Sequence, residues 1–204
     1  LSPDARALQS VNTVVFQGTR RIGHNTDWWG FAENFRRGLP DASLNDVVLV
    51  GAGGAGSAVG YAALQLGVKR LQVNDVDATR AEGLAVRLQA LFPDRQVITC
   101  KDTVAGLSTA DGLIHASPTG MAKHPGLPVP ATVLRPGLWV AEIVYVPLET
   151  ELLRHARAAG CRTLDGGGMA VLQAARAFEL FTGVTPDHER MLLRFDRMLR
   201  TQGV

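Results

Sequence analysis

The feature that most constrains the fold of this chain is a glycine-rich segment that directly follows an apolar run. Residues 47–50 are Val-Val-Leu-Val, and residues 51–56 match the pattern G-x-G-x-x-G. The first glycine of such a pattern permits a tight turn, the second lets the backbone approach a pyrophosphate, and the third allows close helix–strand packing. A helix-compatible stretch follows at residues 57–66. The segment therefore predicts a dinucleotide-binding unit whose loop residues are Gly51, Ala52, Gly53, Gly54, Ala55 and Gly56.

A second apolar run supports this interpretation and bears on the choice of cofactor. Residues 71–73 lead into Asn74 and Asp75, about 20 residues beyond the loop, where a carboxylate accepts hydrogen bonds from the adenosine ribose. Asp77 competes with Asp75 for this role, and Asn74 could itself contact the ribose. Because a carboxylate repels a 2′-phosphate, the pattern favours NAD over NADP. Arg80 opens the next helix and could contact the adenine or a phosphate, which leaves NADP as the less favoured alternative.

Strand-like and helix-like stretches alternate from residue 46 onward. The predicted strands are residues 47–50, 71–73, 96–99, 112–115, 138–144 and 161–164, and the predicted helices are 57–66, 79–91, 149–159, 169–181 and 186–199. This rhythm predicts an α/β fold, a Rossmann-type doubly wound parallel sheet covered by helices. Before it, residues 14–23 predict a β-hairpin, and a helix is expected to begin near Asp27 and to end at Gly38.

Composition excludes several classes of function. The 21 basic and 19 acidic residues leave a formal charge of +2, and the basic residues are scattered, which argues against a nucleic-acid partner. No apolar run reaches the roughly 20 residues of a membrane helix, so no membrane association is expected. Cys100 and Cys161 have no His or Cys companions at metal-ligand spacing. We therefore expect no metal site and a reduced, cytoplasmic setting.

Several further segments occur in a characteristic order. They are VNTV at residues 11–14, GHNTD at 23–27, SPTGM at 117–121, VYVP at 144–147, and DGGGM at 165–169 followed by Gln173. Together with the glycine loop they resemble the shikimate dehydrogenase family, and in particular its NAD-dependent quinate/shikimate dehydrogenase branch. The resemblance extends over essentially the whole chain.

The resemblance implies a reversible hydride transfer between NAD and a ring hydroxyl of quinate or shikimate. It implies a catalytic role for Asp27 and substrate contacts for Asn12, Tyr145 and Gln173. The residues implied on the nicotinamide side are Ser117, Thr119, Met121, Val144, Gly168 and Met169. Taken singly these residues have ordinary explanations, since Asp27, for example, is a good helix cap. The assignment therefore depends on the joint pattern.

The resemblance also implies a division of the chain. Residues 1–38 are expected to be a remnant of an N-terminal α/β substrate domain with a hinge helix, residues 39–185 the dinucleotide-binding domain, and residues 186–204 a helix that returns toward the substrate domain. The family has a catalytic lysine in its N-terminal domain, and Lys69, Lys101 and Lys123 lie in other contexts. Since the chain also opens on Leu1, we expect a fragment or processed product with an incomplete active site.

Two alternatives remain at this point. One is an NADP-dependent biosynthetic shikimate or aminoshikimate dehydrogenase, and the other, of a different class, is a non-catalytic NAD-binding module. The expected partner is a small cyclic polyol acid, with the protein a monomer or homodimer. His115 stands where the family usually has asparagine, and we interpret it as a satisfied strand-end histidine whose partner the sequence does not identify.

Overall fold

The structure is a computed structural model that describes residues 1–202, with side chains up to residue 198. The last two residues of the predicted C-terminal segment 186–204 lie outside the described residues. The strands are β1 (Thr13–Gln17), β2 (Arg20–His24), β3 (Asp46–Val50), β4 (Arg70–Asn74), β5 (Gln96–Thr99), β6 (Gly112–His115), β7 (Trp139–Glu142) and β8 (Arg162–Leu164). The helices are α1 (Pro3–Leu8), α2 (Asp27–Gly38), α3 (Gly54–Leu66), α4 (Ala78–Leu91), α5 (Thr103–Thr109), α6 (Glu151–Ala158), α7 (Gly167–Thr182) and α8 (His188–Gln202), with a 3₁₀ turn at Ala131–Val133.

Six of the strands form one parallel sheet in the order β5-β4-β3-β6-β7-β8. This is the doubly wound arrangement predicted from the sequence. Successive strands are added on one side of β3 as far as β5 and on its other side from β6 onward, so the strand order reverses between β3 and β6. Ligands of such sheets bind at this switch point, beyond the carboxyl ends of the strands. The glycine loop follows β3 and residues 116–121 follow β6, so both segments lie at that edge.

The core explains why the central strands are almost uniformly apolar. In β3, Val47 and Leu49 face one hydrophobic cluster, with Phe31, Leu64 and residues of α4, while Val48 faces a second cluster on the opposite side of the sheet. A strand buried on both faces has no reason to alternate apolar with polar residues. The continuous Val-Val-Leu-Val run is the consequence.

The remaining elements agree with the predictions in kind, with two omissions. The hairpin β1–β2 turns at Gly18 and Thr19, and α2 begins at Asp27 and ends at Gly38 as expected. The sequence interpretation missed α1 and α5. Each has a capping residue that gave a usable signal, because the Ser2 hydroxyl accepts from Ala5 N–H and the Asp102 carboxylate accepts from Val104 N–H.

Helix α2 packs against both α3 and α7, so the segment before residue 39 is joined closely to the sheet domain. The division at residues 38 and 185 stays a prediction. Within the described part of the chain, none of the helices combines the length and apolarity needed to cross a membrane.

Candidate functional site

The glycine loop makes its turn through close approaches of backbone to backbone. Gly51 has φ +109°, and a Cβ at this position would lie 2.5 Å from the carbonyl carbon of Ala116. A Cβ at Gly56 would overlap the carbonyl oxygen of Gly51. The first and third glycines of the motif are therefore required by the packing of the protein itself.

Gly53 has a different role from Gly51 and Gly56. Its φ of −77° suits any residue, and a Cβ built on Gly53 or Gly54 meets no protein atom within 4 Å. Neither backbone strain nor protein packing explains a glycine at position 53. Gly53 is also the N-cap of α3 and has no side chain with which to bond the first helical N–H groups. Open space in front of these donors fits a bound pyrophosphate.

Asp75 lies against the loop. Its Oδ2 accepts a hydrogen bond from Ala52 N–H at 2.7 Å, and its Oδ1 accepts from Asp77 N–H at 2.9 Å. A carboxylate has about four acceptor positions, so Asp75 can still accept from a ribose hydroxyl. Asp77, the competing candidate, instead caps α4 and pairs with Arg80 at 3.3 Å. The Asn74 amide donates to the Cys100 carbonyl at 2.8 Å.

A cavity of about 300 Å³ lies on the other side of the switch point. It brings together five of the predicted residues, which are Ala55 of the glycine loop and Ser117, Met121, Val144 and Tyr145. Thr119 contacts a residue that lines the cavity, since its N–H donates to Ser117 Oγ at 3.3 Å. A larger apolar groove of about 740 Å³ between α7 and α8 contains none of the predicted site residues.

A polar cluster surrounds the start of α2. The Asn12 Oδ1 accepts from Thr26 N–H at 2.9 Å, and its Nδ2 donates to Thr26 Oγ1 at 3.1 Å. The Thr26 hydroxyl in turn donates to Gln173 Oε1 at 3.3 Å. Thr26 is buried and joins two of the predicted substrate residues. The sequence analysis missed it because a threonine before a helix has an ordinary explanation as a cap.

Asp27 is the titratable member of this polar cluster. Burial raises the pKa of its carboxyl group above the ordinary value of 3.8, and a hydrogen bond from Asn12 opposes this by lowering the pKa. Burial is the larger effect, so the net shift is upward. A carboxylate with a raised pKa is a better proton acceptor near neutral pH than an exposed aspartate.

Gly168 and Met169 lie in the interface between α2 and α7. A Cβ at Gly168 would overlap the side-chain amide of Asn34 on α2, and Met169 is 8% exposed within the hydrophobic core. Their side-chain positions are thus accounted for by packing. A role toward nicotinamide for these two residues remains a prediction.

His115 has the partners that the sequence did not identify. Its Nδ1 lies 2.8 Å from Glu142 Oε1 and its Nε2 lies 2.6 Å from Ser117 Oγ, with both ring and carboxylate fully buried. The interpretation as a satisfied strand-end histidine is consistent with this geometry. Glu142 was missed, although a polar residue ending each of two neighbouring buried strands, β6 and β7, was a usable signal.

The family model and two sequence relatives that match this chain are all shikimate or quinate/shikimate dehydrogenases. The model of the shikimate 5′-dehydrogenase C-terminal domain matches residues 166–192. A shikimate dehydrogenase (NADP(+)) of Streptomyces avermitilis is 58% identical over the whole chain, which covers 71% of that protein. A quinate/shikimate dehydrogenase (NAD(+)) of Corynebacterium efficiens is 47% identical over 96% of the chain, which covers 70% of that relative.

Solved structures agree with the sequence relatives. The quinate dehydrogenase of Corynebacterium glutamicum in complex with NAD superposes with a TM-score of 0.90 at 45% identity. The superposition covers 95% of this chain and 70% of that protein. The fold of the chain is therefore that of this solved quinate dehydrogenase structure over the part that the two share.

Proposed function

Because the chain belongs to the shikimate dehydrogenase family, we propose that it binds NAD and transfers a hydride between this cofactor and a ring hydroxyl of quinate or shikimate. The oxidised products are 3-dehydroquinate and 3-dehydroshikimate. Bound NAD supplies the hydride acceptor. The protein supplies binding, orientation and a group that takes the hydroxyl proton.

The observation that carries the cofactor half is the open space in front of Gly53. Nothing in the described part of the chain requires a glycine there, whereas a pyrophosphate on the N-terminus of α3 requires one. The pyrophosphate would be held by the N–H groups of the first turn of α3, and the adenosine ribose by the Asp75 carboxylate.

The polar cluster supports the substrate half. The side-chain amides of Asn12 and Gln173 each contain a hydrogen-bond donor and an acceptor, which suit a molecule with several ring hydroxyls. Asp27 lies beside Asn12 and has a raised pKa, so it is the group we assign to accept the proton of the reacting hydroxyl. Tyr145, 49% exposed at the cavity, is assigned to the substrate from the opposite side.

Asp75 favours NAD over NADP. The relatives include enzymes named for each cofactor, so family membership alone leaves the choice open. A carboxylate held at 2.7 Å from the loop amide of Ala52 is fixed in place. Its negative charge would repel a 2′-phosphate. Arg80 is the nearby residue of opposite charge, and its guanidinium is paired with Asp77.

The setting proposed for this activity is the cytoplasm, since Cys100 and Cys161 are both unpaired thiols and reduced cysteines are typical of that compartment. We propose a monomer or homodimer that takes a small-molecule substrate.

The test is NAD reduction in the presence of quinate or shikimate, run beside direct titration of the cofactor. We expect NAD binding and substrate-dependent formation of NADH, with NADP a poorer cofactor. The 204-residue chain spans about 70% of the relatives it matches, so the assay is run both on this chain and on the gene product that contains it. Failure of both proteins to reduce NAD with either substrate would reject the proposed reaction.

A further inference from the structure

A chain of four hydrogen-bonded side chains lies at the carboxyl ends of β6 and β7. It runs from Ser117 through His115 and Glu142 to Thr150. His115 and Glu142 are register partners on adjacent parallel strands, and both side chains are 0% exposed. Ser117 is the member of this chain that lines the 300 Å³ cavity.

The hydrogen bonds around Glu142 determine where the protons lie. Its Oε1 accepts from Val144 N–H at 3.0 Å, and its Oε2 accepts from the Thr150 hydroxyl at 3.2 Å. The Thr150 oxygen also accepts from Leu153 N–H, and its own proton is directed to Glu142. Since Glu142 receives donors from every side, it acts as a carboxylate and the Nδ1 of His115 carries a hydrogen.

This arrangement sets the polarity of Ser117. We assign His115 as the neutral imidazole with hydrogen on Nδ1. In that form Nε2 is an acceptor, and the Ser117 hydroxyl donates its single proton to His115 across 2.6 Å. The Ser117 oxygen also accepts from Thr119 N–H. One lone pair of Ser117 is left, and it can accept a hydrogen bond from a ligand in the cavity. Ser117 therefore presents an acceptor to a ligand and has no proton to donate.

We propose that His115 and Glu142 are positioning residues that make Ser117 a hydrogen-bond acceptor for the nicotinamide riboside half of the dinucleotide. The ligand group is an N–H or O–H donor, supplied by the carboxamide or by the adjoining ribose. This inference rests on the proposed function, which puts that half of NAD in the cavity beside Ala55 of the glycine loop. A buried network with every member satisfied holds its groups in one arrangement.

Glu142→Gln reverses the polarity with little change in volume. Val144 N–H can only donate, so the glutamine oxygen would take the place of Oε1 and the NH₂ group the place of Oε2, 3.0 Å from His115 Nδ1. Nδ1 then accepts from this NH₂ group, the ring carries its hydrogen on Nε2, and Ser117 accepts from His115 and is left with a proton to donate. Ser117→Ala removes the acceptor outright at a partly exposed position, at the cost of the hydrogen bonds that Ser117 makes with His115 and Thr119.

The experiment measures dissociation constants of ADP, ADP-ribose and NAD by calorimetry. ADP lacks the nicotinamide riboside, ADP-ribose adds the ribose, and NAD adds the carboxamide. For Ser117→Ala and Glu142→Gln we expect NAD to bind about fivefold to tenfold more weakly, the size of one lost hydrogen bond, with ADP unchanged. The matched control is Glu151→Gln, which alters the exposed His155–Glu151 pair on α6, 3.8 Å apart, and should change neither constant.

The three ligands distinguish the two possible donor groups. If only NAD binds more weakly, the donor is the carboxamide. If both NAD and ADP-ribose bind more weakly, the donor is the ribose. The proposal is overturned if Ser117→Ala weakens NAD no more than ADP, or if folded Glu142→Gln binds NAD like the wild type. Absence of any binding to wild-type protein would instead reject the proposed function.

Discussion

The glycine loop and the polar cluster at the start of α2 are built in opposite ways. The loop is a continuous stretch of six residues that acts through its backbone atoms. Gly51 and Gly56 allow backbone segments to approach each other closely, and Gly53 leaves open space. The cluster gathers side chains from distant positions, and Thr26 links Asn12 to Gln173. A backbone site can be recognised from a local pattern, whereas a side-chain site exists only after the chain has folded.

The largest effect is expected from the side-chain region. Asp27→Asn preserves size and removes the carboxylate that we propose as the proton acceptor, so turnover in the protein that shows activity should fall on the order of 100-fold or more. The NAD dissociation constant should stay within about twofold, because the loop is unchanged. Steady-state kinetics and cofactor titration measure the two quantities. Unaltered turnover would remove Asp27 from the mechanism.

The largest loss of folding stability is expected from a substitution in the glycine loop. Gly56→Ala places a Cβ on the Gly51 carbonyl oxygen, and we expect a loss of about 2 kcal/mol or more in the free energy of unfolding, measured in urea. Gly83→Ala is the control. Gly83 is an exposed helical position with open space around it, and alanine should stabilise it by about 0.5–1 kcal/mol.

A substitution at Gly53 should affect NAD binding far more than folding stability, unlike a substitution at Gly56 in the same loop. The Cβ of Gly53→Val enters space that no atom of the described residues occupies within 4 Å, so the free energy of unfolding should fall by no more than about 1 kcal/mol, the cost of a poorer N-cap. NAD binding should weaken at least about tenfold, because the side chain would stand where the pyrophosphate approaches. Normal NAD affinity in this variant would place the cofactor elsewhere.

The smallest effect expected is a displacement of the pH profile. Asp27 must be ionised to accept a proton, and burial raises its pKa above 3.8. The acid limb of kcat/KM should therefore lie above the range of an ordinary aspartate, with activity falling as the pH drops through that raised pKa. An acid limb at or below 3.8 would show that another group, or no group, controls it.

The same contrast explains what could be predicted from the sequence. The glycine loop, the sheet and the hairpin carry local signals of spacing and apolar periodicity, and the structure agrees with them. The polar cluster was predicted only through a family resemblance, and Thr26 within it was missed. The His115–Glu142 pair was missed because residues 115 and 142 become neighbours only through the register of β6 on β7. The polar residues that end these two buried strands were the available signal, but the pairing itself depends on that register.

We propose that Asp75, fixed against the glycine loop, makes this a site for NAD, and the most direct test is a paired titration with NAD and NADP. The wild-type chain should bind NAD at least about tenfold more tightly than NADP, and Asp75→Ala should reduce that preference by weakening NAD and relieving the repulsion of the 2′-phosphate. Equal affinities in the wild type, or a preference for NADP, would contradict the account.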